Sequence, residues 1–329
     1  MRFLARRIGF YLVTAWAAVT INFFIPRLMP GNPLDILVAR MSSQGMLTPR
    51  AVHDLAVAFG FNTKASLLDL YFRYWGQLFR GDLGISVTYF PSSVASVIGT
   101  ALPWTLALVG TATLISIVLG TFIGLLAAWR RSPGLDALLP SATFMQAAPY
   151  FFIGLLSIEV FSSLLKWFPV GGGFAQGMAI SFTWSFISSA LYHSLLPAIT
   201  IIVTSMAGWM IGMRNVTVTV LDEDYILAAH AKGLKPRRVM ITYAARNAIL
   251  PQVASFALAM SLLVSGAILV EIVFSYPGIG YVLFQAVDNE DFPLMQAIFL
   301  IIVVTVLVAN LLADLAYVLL DPRARQEAS

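Results

Sequence analysis

Residues 102–129 read LPWTLALVGTATLISIVLGTFIGLLAAW, an apolar stretch without a charged side chain. A helix rises about 1.5 Å per residue, so this stretch is long enough to cross about 30 Å of hydrocarbon. The whole chain has the same character, since 59% of its 329 residues are hydrophobic and 11% are charged. That composition leaves too little polar surface to cover a water-soluble globule. Long apolar runs, rather than alternating ones, predict helices instead of a closed barrel.

Five further apolar runs predict that the chain crosses the membrane six times. The predicted spans are 8–26, 102–129, 138–165, 195–213, 251–274 and 292–313. The first run follows Arg2, Arg6 and Arg7, as the core of a secretory signal peptide would. Its apolar core is too long for a signal peptide, and no small-residue cleavage site follows it. We therefore interpret it as an uncleaved anchor of an all-α integral membrane protein.

Basic residues indicate how these spans are oriented. They gather at the N-terminus, at Arg130 and Arg131, between residues 214 and 246, and at Arg323 and Arg325. Because Lys and Arg are enriched in short cytoplasmic loops, these segments and both termini are predicted to be cytoplasmic. The formal charge of +4 is too small and too dispersed to indicate a nucleic-acid groove.

A long segment between the first two spans, roughly residues 27–101, is then predicted to be external. It contains an amphipathic helical pattern at 66–79 and turn signals at 30–33 and 81–84. These features predict a folded segment. Two interpretations stay open, a cap on the helix bundle and a docking surface for an external partner.

The loop between the fourth and fifth spans, residues 220–250, is predicted to contain two short helices. Acidic residues stand at the start of the first helix, where the helix dipole favours them, and Lys232 stands at its end. Gly233 is predicted to be the left-handed residue that stops this helix. Pro236 suits the first turn of the next helix.

The first of these two helices carries small and apolar side chains at Tyr225, Ala228 and Ala229. A shallow face of this kind suits insertion into a groove on another protein. The alternative is a helix that lies on the lipid interface.

A series of short motifs runs along almost the whole chain. The motifs are PGNP at 30–33, GDLGIS at 81–86, LPWTL at 102–106, EDY at 223–225, GL at 233–234, RNAILP at 246–251, GA at 266–267 followed by Glu271, FSYPGIG at 274–280, DFP at 291–293 and DPR at 321–323. Their order resembles the inner-membrane permeases of binding-protein-dependent ABC importers, in the dipeptide, oligopeptide and nickel branch.

The resemblance implies a type I ABC importer transmembrane-domain fold over residues 1–329, with a first span at about 8–28, an external segment at 29–101 and a five-helix core at 102–320. It also implies that the loop 220–250 carries the coupling helix, the element that fits a cleft on the ATPase subunit. The residues implied in ATPase coupling are Asp224, Tyr225, Ala228, Ala229, Lys232, Gly233 and Leu234.

The chain departs from the general coupling motif at two places. Leu227 stands where the motif has glutamate, and Ile211 stands where an arginine is usual. The spacing from Gly233 to the Leu250-Pro251 pair is also longer than in the general motif.

The partners and the location follow from the same resemblance. It implies a heterodimer with a second permease, two ATPase subunits that bind ATP and Mg, and an external substrate-binding protein. It places the chain in the cytoplasmic membrane of a prokaryote, as a transport subunit without enzymatic activity or a cofactor of its own. Consistent with this, the sequence contains no Gly-x-x-x-x-Gly-Lys phosphate loop.

Two ionisable residues lie inside predicted spans, where such residues are costly and often functional. Glu159 and Glu271 both fall toward the predicted outer ends, so a gating role, a structural role within the bundle or simple contact with the interface stay open. His53, His193 and His230 are far apart in sequence and lack metal-ligand spacing. A metal site is therefore not predicted.

Two other function classes compete with an importer subunit. A secondary carrier is expected to show ionisable groups near mid-membrane, and an intramembrane enzyme needs a paired nucleophile and base. The sequence offers little of either pattern. Peptides are the substrate that the resemblance implies first, with oligosaccharides as the alternative and nickel or opines behind them.

Overall fold

A computed structural model describes residues 2–28, 66–130, 134, 137–261 and 268–320. This part of the chain contains no β-strand beyond one isolated bridge between Ile85 and Ser93. The α-helices in chain order are α1 (Arg2–Leu28), α2 (Leu67–Phe79), α3 (Val94–Arg130), α4 (Leu138–Ala147), α5 (Tyr150–Ser157), α6 (Trp184–Leu221), α7 (Asp224–Ala231), α8 (Arg246–Ser261), α9 (Ile268–Val273), α10 (Ile279–Asp288) and α11 (Phe292–Leu320). A helical turn, Pro236–Arg238, and a π-helical segment, Val239–Ala245, lead into α8. The prediction of an all-α chain is confirmed.

Every predicted span coincides with helix where the structure describes it, apart from a break at residues 148–149 and the last residues, 165 and 274, of two spans. By length and composition, three helices of the described chain can cross a membrane, namely α3, α6 and α11. The pair α4 and α5 is a fourth candidate if it is counted as one bent span. The apolar part of α1 is shorter, and the fifth predicted span comprises α8, α9 and residues 262–267, which lie outside the described residues.

The third predicted span, 138–165, is not one straight helix. Its two halves meet at Ala148 and Pro149 and are bent by 101°. A residue before proline is pushed out of the helical region, and Ala148 accordingly has an extended ψ of 132°. Beyond α5 the chain continues as a π-helical segment, Ile158–Leu164. A uniformly apolar run carries no trace of this bend in its hydropathy.

Two spans are much longer than hydropathy predicts. α3 begins at Val94, eight residues before the predicted span 102–129. α6 covers Trp184–Leu221, against the predicted span 195–213. Its first turn is capped by Thr183, whose hydroxyl accepts the Phe186 N–H at 3.4 Å. Hydropathy identifies only the apolar part of a helix. The helix itself can continue beyond that part until a capping residue ends it.

Small side chains let α3 and α6 pack with their backbones close together. A Cβ atom on Gly120 would come within 2.6 Å of the Met206 carbonyl oxygen, and one on Gly124 would overlap the Met210 carbonyl oxygen. Close approach of this kind is the usual way in which helices associate in membranes. The buried residues that continue this contact along α3 include Ala112, Ser116, Ala127 and Ala128.

The helix predicted at 66–79 is confirmed as α2. Ser66 caps it by accepting the Asp69 N–H at 3.1 Å. α2 packs on α1, where the hydroxyls of Tyr71 and Thr20 lie 2.8 Å apart and the rings of Tyr71 and Phe23 meet at 5.3 Å. α2 therefore covers the end of the first span. Its opposite side leaves Leu68, Phe72 and Phe79 exposed.

Candidate functional site

The candidate coupling site is built on α7, a helix of eight residues between α6 and the Pro236 turn. Glu223 takes an extended conformation at its N-cap, and its carbonyl oxygen accepts the Ile226 N–H at 2.9 Å. Asp224 lies in the first turn, where a negative side chain interacts favourably with the helix dipole. The start of α7 thus lies where the acidic residues predict it.

Gly233 ends α7 in the left-handed conformation that the sequence predicts. Its φ is +71°, its N–H donates to the His230 carbonyl at 2.9 Å, and the Leu234 N–H donates to the Ala229 carbonyl at 3.3 Å. These two bonds form a Schellman motif, which satisfies carbonyl groups that would otherwise lack partners at the helix end. Leu234 packs against Ala229, as this motif usually requires.

The inner face of α7 packs into a small core of its own. Ile226 is 2% exposed and Ala229 is 3% exposed, and both pack with Val239 and Ala244 of the π-helical segment. Around this core lie half-buried side chains from the ends of two long helices, namely Trp129 of α3 together with Val220 and Leu221 of α6. The inner face of α7 is therefore in contact with side chains from the ends of α3 and α6.

Ala229 does not lie on the exposed face that the sequence predicts for it. Because helical neighbours point about 100° apart, Ala228 is exposed whereas Ala229 faces the inner core. The sequence suggested one common face because both alanines are small. In the structure, the orientation of the helix places them on different faces.

The outer face of α7 carries most of the other predicted residues. Asp224, Ala228, Lys232 and Gly233 are exposed, and Leu234 is half-buried. Tyr225 is also exposed, and its hydroxyl accepts a hydrogen bond from the Asn247 side-chain amide at 3.2 Å.

The two ends of α7 are held near α3 and α8. Near the C-terminal end, the His230 ring stacks on Trp129 with ring centroids 6.5 Å apart. Near the N-terminal end, the Tyr225 bond reaches Asn247 in the first turn of α8. His230 is thus a stacking partner here.

Glu271 is a buried carboxylate of α9 that contacts the start of α10. It is 1% exposed, and its Oε2 accepts the Gly280 N–H at 2.6 Å. The neighbouring Ile279 N–H donates to Thr105 Oγ1 of α3 at 2.8 Å. Two of the N–H groups that a helix start leaves without partners are thereby satisfied. Gly278 is needed for this arrangement, because a Cβ atom there would overlap the Glu271 carboxyl group.

Glu159 has a different environment. It is exposed in the π-helical segment after α5. Of the two ionisable residues that the sequence places inside spans, Glu271 alone is built into the packed interior.

Sequence reasoning missed the role of Asp291. This buried carboxylate accepts hydrogen bonds from the Ser86 hydroxyl, the Thr88 N–H at 2.8 Å and the Leu294 N–H at 3.2 Å. It caps α11 and fastens the 84–93 loop to that helix. The signal was present, since an aspartate just before an apolar run is a typical N-cap.

The described residues offer no grouping of three His, Asp or Glu side chains suited to hold a metal ion. His193 instead makes a hydrogen bond through Nδ1 to the Ser189 carbonyl at 2.8 Å. His53 lies outside the described residues.

Comparison with known proteins places this geometry in a family. The sequence model of one protein family, the binding-protein-dependent transport system inner membrane component, matches residues 120–326. The chain belongs to this family. The match includes α7, Glu271 and Asp291, and it begins within α3. The resemblance drawn from the short motifs is confirmed.

Relatives of this permease match it along nearly its whole length. It is 31% identical to the di/tripeptide transport system permease protein of Pseudomonas aeruginosa, over 99% of each chain. It is 31% identical to the oligopeptide transport system permease protein of Bacillus subtilis, over 92% of each chain. The dipeptide transport system permease protein of Lactococcus lactis is 29% identical, over 99% of each chain.

Family membership fixes the general role of the chain. The permease is a multi-pass inner-membrane subunit of an ABC transport system, and it works with ATPase and substrate-binding partners. α1 and α2 lie outside the region that the family model matches, whereas the full-length relatives cover them.

Proposed function

We propose that this permease imports peptides that an external substrate-binding protein delivers, in a cycle driven by ATP. The observation that carries the proposal is the similarity over 99% of each chain to a permease named for di- and tripeptides. Relatives named for oligopeptides and dipeptides match over comparable lengths. Such similarity over the full length favours the same substrate class for this chain.

α7 is the coupling helix in this proposal. Its outer face, with Asp224, Tyr225, Ala228 and Lys232, meets the ATPase subunit. Gly233 and Leu234 fix the end of the helix, and Ala229 supports it from inside rather than meeting the ATPase. The support for this role is the core beneath α7, which joins it to the ends of α3 and α6. Closure of the ATPases then tilts these helices and exposes the substrate pathway to the other side.

The remaining partners complete the transporter. A second, homologous permease forms a heterodimer with this chain, and two ATPase subunits bind ATP and Mg on the cytoplasmic side. Both termini of the chain are cytoplasmic, as the distribution of basic residues predicts. Residues 29–101 are external, and the five-helix core of residues 102–320 follows.

Glu271 acts as a structural residue of the outer end in this proposal. It ties α9 to the start of α10 through the Gly280 N–H, beside the Ile279–Thr105 hydrogen bond that ties α10 to α3.

The proposal is tested by reconstitution of the permease with its second permease, both ATPases and the binding protein in proteoliposomes. Uptake of labelled dipeptides, tripeptides and pentapeptides is measured with ATP, with a non-hydrolysable analogue, and with an ionophore that abolishes ion gradients. We expect peptide uptake that requires ATP hydrolysis and is unchanged by the ionophore.

An oligosaccharide of similar mass is the control substrate. Uptake of the oligosaccharide in place of peptides would overturn the substrate class and leave the importer assignment intact. Uptake that needs an ion gradient and not ATP would overturn the mechanism itself.

A further inference from the structure

The exposed face of α7 is apolar at its centre. Leu227 exposes 63% of its surface, and on the same helix face, three and four residues further on, His230 and Ala231 are exposed as well. Ile226, the preceding residue, is 2% exposed. Two branched side chains of similar size therefore lie about 100° apart around the helix, one buried and one exposed. Because Ala228 beside it and Ala231 one turn further on are small, the Leu227 side chain extends beyond both of them.

Charges of opposite sign flank this apolar centre. Three exposed acidic residues, 222–224, precede it, and four exposed basic residues follow it, namely Lys232, Lys235, Arg237 and Arg238. A helix of eight residues is about 12 Å long. Along the chain, the exposed side chains therefore change from acidic through apolar to basic between the start of α7 and the turn that follows it.

This order of charges favours a protein partner over a lipid surface. Three acidic residues at one end of a helix are repelled by anionic lipid headgroups, and a helix that lies on a membrane usually carries basic residues along its polar face. A cleft on a protein can complement both signs at once, and the order of the charges then fixes the direction in which the helix lies.

We propose that Leu227 is the anchor by which α7 is seated in the ATPase subunit. It enters an apolar pocket whose rim is basic beside residues 222–224 and acidic beside Lys232 and Lys235. This inference rests on the proposed function, in which α7 is the coupling helix. Ala228 and Ala231 let the partner approach closely, burial of Leu227 supplies affinity, and the flanking charges supply orientation.

The inference is tested on the permease pair in lipid nanodiscs, with affinity for the purified ATPase subunits measured at low and high salt. We expect Leu227→Ala to weaken ATPase binding about tenfold or more at both salt concentrations, because a buried leucine side chain contributes an apolar, salt-independent part of the affinity. Leu227→Glu is expected to weaken binding further, and Leu227→Met to retain it, because that exchange conserves volume.

Ile241→Ala is the matched control. Ile241 is 51% exposed in the neighbouring π-helical segment and lies outside α7, so its truncation is expected to leave ATPase affinity unchanged. An equal loss of affinity in Ile241→Ala and Leu227→Ala would mean that exposed apolar residues in this region contribute to binding without distinction. That result would overturn the proposal that Leu227 is the anchor.

Because the chain has no cysteine, a Leu227→Cys variant can carry a single environment-sensitive dye. We expect the emission to shift to the blue when ATPase is added. A dye already blue-shifted in ATPase-free nanodiscs and unchanged by ATPase would mean that lipid covers this position, and it would overturn the proposal.

The outcomes also distinguish this inference from the proposed function. If Leu227→Ala and Leu227→Glu bind ATPase with parental affinity while Gly233→Val uncouples transport, α7 couples the subunits without this anchor. If Gly233→Val also transports at the parental rate, the proposed role of α7 is wrong, and the anchor falls with it.

Discussion

The φ angle of Gly233 fixes how α7 ends, and α7 is the helix that we propose contacts the ATPase subunit. This φ of +71° lies in a region that residues with a Cβ atom rarely adopt. The position was predictable because a glycine after a short helix, followed by proline, is a typical stop signal. By contrast, the inward orientation of Ala229 was not predictable, since the sequence alone does not say which side of α7 faces the core.

Replacement of Gly233 by valine is expected to uncouple ATP hydrolysis from transport. The left-handed conformation costs a branched residue about 1–2 kcal/mol or more, so the end of α7 rearranges and its outer face turns away from the ATPase. The measurement is the number of peptides transported per ATP hydrolysed in proteoliposomes. ATPase turnover should persist while transport falls.

Two variants control for strain and for loss of glycine. Gly233→Asn should keep coupling, because asparagine tolerates the left-handed region. Gly177→Val introduces the same kind of strain at φ +80°, in the loop before α6, and should leave coupling intact. Equal coupling ratios in Gly233→Val and the parent would refute the role of this residue.

Glu271→Ala is expected to lower thermal stability, whereas Glu159→Ala is expected to have no effect. Removal of the buried carboxylate leaves the Gly280 N–H without its acceptor, at a cost of about 1–3 kcal/mol. Glu271→Gln retains an acceptor oxygen and should lie between the parent and Glu271→Ala. Tm in detergent or nanodiscs provides the measurement. Identical Tm values for Glu271→Ala and Glu159→Ala would contradict the structural role.

At the scale of elements, the close packing of α3 against α6 depends on two glycines, Gly120 and Gly124. Gly124→Leu is expected to separate the two helices, because the added side chain has to occupy the space of the Met210 carbonyl and the Met213 side chain. Overpacking of this kind typically costs about 1–3 kcal/mol, and more where backbone is displaced. Folded yield and Tm after membrane extraction measure the effect.

Gly110→Leu on the same helix is the matched control, since a Cβ atom there meets nothing within 4 Å. It should fold like the parent. A stable Gly124→Leu variant with parental Tm would mean that the close α3–α6 contact is not needed for folding.

The sequence predicted elements well where local signals decide them and poorly where tertiary contacts do. Ser66 and Pro236 each mark a helix start that the structure confirms. The partner of Glu271 is Gly280, nine residues ahead in the first turn of α10, and no local pattern predicts that contact. The 101° bend at Pro149 likewise depends on how α4 and α5 pack, since a proline inside an apolar run predicts a kink without its angle.

At the scale of the whole molecule, the orientation of the chain is a prediction that single cysteines can test. The natural chain has none, so one introduced thiol gives an unambiguous signal. Phe182→Cys, fully exposed in the loop before α6, should react with a membrane-impermeant maleimide from the outside of intact cells. Ala231→Cys, exposed on α7, should react only after the membrane is opened. The reverse pattern would invert the predicted topology.

α3 and α6 span 37 and 38 residues, so each is about 55 Å long, against a hydrocarbon layer of about 30 Å. In the proposed cycle, we expect two continuous helices of this length, packed with their backbones close together, to act as a lever with its fulcrum inside the bilayer. A tilt of about 5° around the middle moves each end by about 2 Å, in opposite directions. One small rotation therefore widens the gap on one side of the membrane as it narrows the gap on the other. Alternating access in such a molecule needs no separate gate at each end, because the geometry of the lever forbids both ends from widening together.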